Sequence, residues 1–346
     1  LGVRVSNLEN KVGNVKFTGD ARLRYRYQNG SMDDDKSWDY RIRLRGTATV
    51  NDRTTATLGV TTNNQNFGEN GSAQEDQVAA DIIKVDYNFG SPNWMLTLGR
   101  DTDWMLGGTN SYGYQYGDTI DLAQLKYNNG KFAATAAYGK LKEGMGGFFY
   151  GDSDPDNAVD GVKMAYGELE GFFGNGSAAG VYYANFNGSS KGWVDDAGDA
   201  WNFNGDDLWG AYASVNFGSK WNVLANYEHV NLNKDTYITE DDSADVWIGK
   251  LTYGKAVMAQ PKSWDIWVEY LDAEDGAFLG GSTNSWRFGD MDNITSWGVG
   301  IDYVFAKNAM FSVMQSFGTD TKDGSDLYDN KDHEQEQTRA QFQFAF

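Results

Sequence analysis

The sequence predicts an all-β protein, a closed barrel of sixteen antiparallel strands. Three observations carry this. Period-two alternation of apolar and polar residues recurs from residue 15 to residue 346. The connections between these stretches are short and long by turns. Aromatic residues bracket the short ones. Composition narrows the class further. The 346 residues carry 49 acidic and 29 basic side chains, a formal charge of −20, which argues against a nucleic-acid partner because that requires a basic face. With no Cys and only 2 His, disulfide scaffolds, thiolate zinc sites and His-rich metal sites are excluded. Aromatics make up 15 % of the chain, too much ring surface for a solvated disordered polymer. The chain has no apolar run long enough for a transmembrane helix.

The first element is not a strand. Leu1, Val5, Leu8, Val12 and Val15 are spaced 4, 3, 4, 3, the a and d positions of two heptads. Two heptads are too few to be stable alone, and Gly2 and Gly13 weaken any helix. The spacing fits the end of a longer helical coiled coil over residues 1–14; a short flexible leader is the other reading.

The barrel then occupies residues 15–346. In the first strand, 15–28, Val15, Phe17, Ala21, Leu23, Tyr25 and Tyr27 share one face, and Lys16, Thr18, Asp20, Arg22, Arg24, Arg26 and Gln28 share the other. The second, 38–50, sets Trp38, Tyr40, Ile42, Leu44 and Val50 opposite Asp39, Arg41, Arg43, Arg45 and Thr47. The same signal recurs at 55–62, 81–89, 94–100, 119–127, 132–140, 161–169, 178–186, 208–217, 221–230, 244–253, 264–272, 294–305, 309–317 and 337–346. It is broken in phase at 119–127, 161–169 and 178–186. Connections after even-numbered strands are mostly tight; those after odd-numbered strands are mostly long and rich in Asp, Asn, Gly and Ser. A soluble sandwich has no reason to keep one end tight and the other elaborated.

Aromatics frame the apolar faces. Tyr87 and Phe89 stand with Trp94, Tyr127 with Phe132, Phe217 with Trp221, Tyr253 with Trp264, and Tyr303 and Phe305 with Phe311 at the short turns. Tyr25 and Tyr27 meet Trp38 and Tyr40 across the first long loop. Rings at both ends of an apolar face are the two interfacial girdles of a membrane barrel. Sixteen one-sided strands need a second apolar layer, and no amphipathic helix remains to supply it; lipid does. Within a bilayer the sheet must close to satisfy its backbone. Sixteen closed strands leave an aqueous bore, which the polar faces line.

With this pattern in hand, the chain resembles a known family. Sixteen strands ending in Gln341-Phe342-Gln343-Phe344-Ala345-Phe346 look like the general porins of bacterial outer membranes, whose terminal alternation is read by the barrel-assembly machinery. Gly99-Arg100 closing the fifth predicted strand, followed by an eighteen-residue loop, resembles the place where those porins fold their third loop into the lumen. The heptads leading into Val15-Lys16-Phe17-Thr18-Gly19-Asp20 are similar to the OmpM-type porins of diderm Firmicutes, which carry an S-layer-homology domain and a coiled-coil stalk before the barrel. The resemblance implies passive diffusion of small hydrophilic solutes and ions. It also implies short periplasmic turns, long extracellular loops and a homotrimer, with the second long loop, 63–80, reaching a neighbour. Contacts with the bilayer and lipopolysaccharide follow. In a longer chain the N-terminal domain would tether the barrel to a peptidoglycan-linked polymer.

Several residues are candidates to carry function. Arg22, Arg24, Arg26, Arg41, Arg43 and Arg45 lie on the polar face of the first hairpin, with only Asp20 and Asp39 among them. Something must neutralise this patch: acids from elsewhere, or anions. The inward-folded third loop offers Asp101, Asp103 and Asp118, and carboxylates opposite the Arg wall would set a transverse field across the bore. The alternative is that these arginines pair with neighbouring acids and are structural. No cofactor is required. Asp152, Asp154, Asp156 and Asp160 have an alternating oxygen spacing that suits calcium, though without the distal Glu of an EF-hand. Gly188-Ser189-Ser190-Lys191-Gly192 fits a nucleophile elbow by letter but lies in a polar loop. His229 sits on an apolar strand face and His333 in the last loop, so no triad emerges. A barrel hydrolase and a purely structural tether are the competing readings. A substrate-specific channel would need inward aromatics, and Trp267 is the exception that faces inward.

Overall fold

The computed structural model describes residues 13–29, 35–62, 64–66, 78–141, 162–187, 193–194, 200–201, 205–232, 242–278, 285–287, 291, 293–322 and 336–346. Of the expected heptad segment 1–14, residues 1–12 lie outside them. Sixteen long strands form one sheet: β1 Val15–Asn29, β2 Asp35–Asn51, β3 Thr54–Thr61, β4 Ala79–Asn88, β5 Trp94–Met105, β6 Gly117–Asn128, β7 Phe132–Leu141 and β8 Lys163–Phe172. The second half is β9 Ala178–Asn187, β10 Gly205–Phe217, β11 Trp221–Leu232, β12 Ser243–Gly254, β13 Trp264–Ala273, β14 Ile294–Ala306, β15 Ala309–Thr321 and β16 Glu336–Ala345. A two-residue strand, Gln65–Asn66, pairs with Asp39 and Tyr40 of β2. Trp193–Val194 and Ala200–Trp201 form a separate ladder.

Every long strand pairs antiparallel with its sequence neighbour, and β1 also pairs with β16, from Asp20↔Ala345 to Asn29↔Glu336. The seam is finished by the last residue: Gly19 and Phe346 exchange both backbone hydrogen bonds, at 2.7 and 3.0 Å. The sheet therefore has no free edge, as a spanning sheet requires. All sixteen alternating stretches of the sequence are strands, most of them longer than the alternation suggests.

The apolar faces point outward. Trp38, Ile42, Leu58, Ile83, Leu98, Val181, Trp209, Trp247, Ile301 and Phe344 are among the exposed large hydrophobics. Rings gather at both margins. Tyr25–Trp38, Trp209–Tyr227 and Tyr270–Trp297 lie at the long-loop end with centroids 4.8, 5.2 and 4.8 Å apart. Trp94–Tyr127, Trp221–Tyr253 and Tyr253–Trp264 lie at the short-turn end, at 5.0, 4.8 and 5.9 Å. These are the two girdles, with an apolar band between them.

One expectation needs correction. β5 does not stop at Arg100 but runs to Met105, and β6 starts at Gly117. Asp101 and Asp103 therefore belong to a strand, as does Asp118, and the loop between them is 106–116. Gly99 has φ +120°, and a Cβ there would collide with the Ile83 carbonyl. Only glycine is easy in that conformation. Beyond it β5 leaves β4, whose pairing ends at Ile83↔Arg100, and the β5–β6 register slips between Asp101 and Trp104. The alternation breaks there although the strand continues.

Loop 106–116 crosses the bore and covers the inner faces of β8–β13. Gly107 N–H donates to the Tyr166 hydroxyl of β8 (3.0 Å). Tyr112 N–H donates to Asn226 of β11 (2.8 Å). The Tyr114 hydroxyl donates to the Val246 carbonyl of β12 (3.1 Å), and Gln115 donates to the Ala277 carbonyl just after β13. Leu106, Tyr114 and Tyr116 are buried there with Ile120, Met164, Leu208, Val230, Val246 and Leu271 in one apolar cluster. Half of the inner wall is thus covered, and this explains the phase breaks at 119–127, 161–169 and 178–186: those strands place Ile120, Leu122, Met164, Tyr166 and Tyr182 on the inner face, where the loop buries them.

Candidate functional site

The other half of the bore, β14–β16 and β1–β4, stays polar. Arg22, Arg24 and Arg26 of β1 and Arg41, Arg43 and Arg45 of β2 project into it, and Arg22 and Arg41 are directly paired in register. Their first neutralising partners come from the same hairpin. Asp39 is fully buried and lies 2.8 Å from Arg24, 3.3 Å from Arg26 and 3.9 Å from Arg22. Asp20 lies 2.8 Å from Arg43 and 3.5 Å from Arg41. Arg22 also donates to Asn64 (2.6 Å).

Of the three acids expected opposite this wall, Asp103 forms ion pairs with it. Asp103 accepts from Arg45 at 2.7 Å and stands 3.8 Å from Arg43. The inward bend of β5 carries it past β3 and β4 to reach β2. Asp101 binds Lys84 of β4 instead, at 2.6 Å. Asp118 accepts from the Thr119 N–H and lines a cavity of about 730 Å³ whose walls also include Arg41, Arg43 and Asp81. Asp152, Asp154, Asp156 and Asp160 lie outside the described residues, as do 188–192, His333 and most of the second long loop. Among the described residues no group of three His, Asp or Glu is placed to hold a metal.

Sequence reasoning missed three members of the site. Asp81 is a bulge residue, for β3–β4 pairing shifts between Gly59 and Val60, and it comes within electrostatic range of Arg43 and Arg45. The bulge turns it inward, and no parity count foresees that. Arg339 of β16 faces Arg24 and Arg26 across the seam and donates to Gln341 at 2.9 Å. Closure of the barrel brings it there, and its inward parity was legible. Third is a row of buried carboxylates behind loop 106–116. Glu168, Glu170, Glu228 and Glu269 accept from Tyr166, Tyr212, Tyr182 and Tyr112 respectively. A buried carboxylate needs such donors. Inward aromatics are accordingly more numerous than Trp267 alone, but they serve packing. Within the loop, burial first and Glu269 second hold the Tyr112 hydroxyl well above the ordinary phenol range; burial and Glu228 do the same for Tyr114. Both remain neutral donors.

Among the described groups paired with or facing the wall, seven guanidiniums, Arg339 included, stand against four carboxylates, Asp20, Asp39, Asp81 and Asp103. Chemically this is a dense cluster of guanidiniums beside a polar passage. His229 is on the outward face of β11, 2.6 Å from Asp245 and near Trp209. It touches no hydroxyl nucleophile among the described contacts.

Fold and bore together define a transmembrane β-barrel with the porin fold. Solved structures agree on that fold. An anion-selective porin from Comamonas acidovorans superimposes with a TM-score of 0.59 at 15 % identity, over 96 % of this chain and 99 % of that one. OmpF of Salmonella typhi, in complex with daunomycin, gives 0.60 at 13 % identity, over 96 % and 97 %. The trimer form of OmpT, an outer membrane protein of Vibrio cholerae, gives 0.55 at 14 % identity, over 96 % and 99 %. No protein-family model and no curated protein sequence matches the chain.

Proposed function

We propose that the protein is an outer-membrane porin, a water-filled channel for passive diffusion of small hydrophilic solutes and ions. The observation that carries this is the closed sixteen-stranded barrel with a greasy outside and a half-polar inside, whose polar half bears the Arg wall. The wall on β1 and β2, set against Asp103 and Asp81, is the constriction. Its surplus positive charge favours anions at that point, while the acidic long loops gather cations at the mouth. The outer girdles seat the barrel in the bilayer, and the loop rim meets lipopolysaccharide. The porin fold supports assembly as a homotrimer. The heptad spacing of residues 1–15 supports a further role as an envelope tether in a longer chain.

The test is planar-bilayer recording of a variant with Arg22, Arg24, Arg41 and Arg43 changed to Ser. Ion preference is expected to move toward cations. Unchanged conductance and ion preference would remove the constriction assignment. Absence of any channel in the wild-type protein would remove the porin reading itself.

A further inference from the structure

A second segment enters the bore. Residues 285–287 belong to the connection between β13 and β14, yet their side chains lie against the inner wall rather than outside it. Trp286 is buried; its indole N–H donates to Glu269 at 2.6 Å, and its ring meets inward-facing Trp267 with centroids 5.6 Å apart. Arg287 is buried too. Its Nε donates to the same Glu269 oxygen at 3.1 Å, and its Nη1 donates to Ser296 of β14 at 2.7 Å. Lys250 of β12 lies 4.1 Å from the Trp267 ring and completes this patch.

The wall is shaped to receive the segment. Opposite it stand Gly298 and Gly300 of β14. A Cβ on Gly298 would come within 2.7 Å of the Trp286 ring and 2.8 Å of Arg287, and one on Gly300 would strike the Trp267 ring. Two glycines two residues apart on an inward face, each filled by an indole, form a built seat.

The seat also connects the two sides of the channel. The other oxygen of Glu269 accepts from Tyr112 of loop 106–116 at 2.7 Å. The Trp286 carbonyl accepts from Arg339 at 3.2 Å, and Arg339 adjoins the Arg wall. One carboxylate thus holds both inward segments, and one guanidinium links the second of them to the wall. We infer that residues 285–287 are a second constriction element, which narrows the passage on the β14–β16 side and sets its size limit jointly with loop 106–116. This rests on the channel reading and deepens it.

The chain has no cysteine, so a single introduced thiol is unique. The experiment uses full-length protein in planar bilayers and in sugar-loaded liposomes. Trp286→Gly should raise single-channel conductance and shift the swelling limit to larger sugars. Ser285→Cys, treated with a bulky charged methanethiosulfonate, should lose conductance relative to the untreated variant. The thiol test decides the matter if Trp286→Gly fails to give a heat-modifiable, folded band. A folded Trp286→Gly with wild-type conductance and sugar limit, or a labelled S285C protein that conducts as before, overturns the inference while leaving a conducting wild type as a porin. A wild type that conducts nothing overturns both.

Discussion

Asp39→Asn is the most informative single change in the wall. The side chain keeps its shape and one acceptor oxygen, loses its charge, and exchanges the other acceptor for an NH2 donor. That charge faces three guanidiniums within 4 Å, and Asp39 is 0 % exposed while Arg24 is 8 % exposed. Removing one partner of a buried ion pair costs 3–5 kcal/mol because the other charge is left uncompensated. Arg26 is 26 % exposed and reaches bore water, which screens it. The lower end therefore applies, and the variant should lose about 3 kcal/mol of barrel stability. The measurement is the urea midpoint in detergent micelles, followed by tryptophan fluorescence for both proteins. A second readout comes from the same sample. Losing one negative charge from the wall should move the reversal potential in a salt gradient toward anions. A variant with the wild-type midpoint and the wild-type reversal potential would refute the reasoning, for it would mean that mobile anions already compensate the cluster.

Three further outcomes are expected. Ile301 is 44 % exposed on the outer face of β14 between Trp297 and Tyr303; Ile301→Arg puts a charge in hydrocarbon and should cost about 2 kcal/mol, read as a lower yield of the heat-modifiable form on refolding into lipid. Deleting Phe346 removes both backbone bonds to Gly19; at about 1 kcal/mol each, the seam should weaken and the gel-shift temperature should fall. Tyr112 and Tyr114 have hydroxyls raised well above 10.0, so their contribution is complete below pH 10 and is lost as pH rises through their folded values. In an alkaline absorbance titration Tyr112→Phe should therefore leave the phenolate amplitude near pH 10 unchanged.

The outer face of the barrel was readable because lipid imposes one rule on every strand. Trp38, Leu44, Leu98 and Phe344 obey it without exception of context. The inner face obeys two rules. On β1 and β2 it is wet, so Arg22 through Arg45 alternate cleanly with apolar neighbours. On β6, β8 and β9 it is covered by loop 106–116, so Ile120, Met164 and Tyr182 blur the alternation. The acidic partners were half legible for the same reason. Asp103 could be placed near the wall, but Asp101 could not be assigned to Lys84, because the inward bend at Gly99 decides who meets whom. Asp81 owes its place to a bulge, and the Glu269 seat depends on contacts between segments far apart in sequence.

The bore is divided lengthwise between two media. On one semicircle, the loop packs the side chains as in the interior of a soluble protein; on the other, polar side chains led by the Arg wall line the passage. Evolution can then treat the two independently. Replacing one of the partly exposed inward arginines, Arg26, Arg43 or Arg45, retunes what crosses while the scaffold stands, whereas replacing Val230, Val246 or Leu271 dislodges the loop that gives the passage its shape. Permeability can drift in such a channel without the barrel having to be rebuilt.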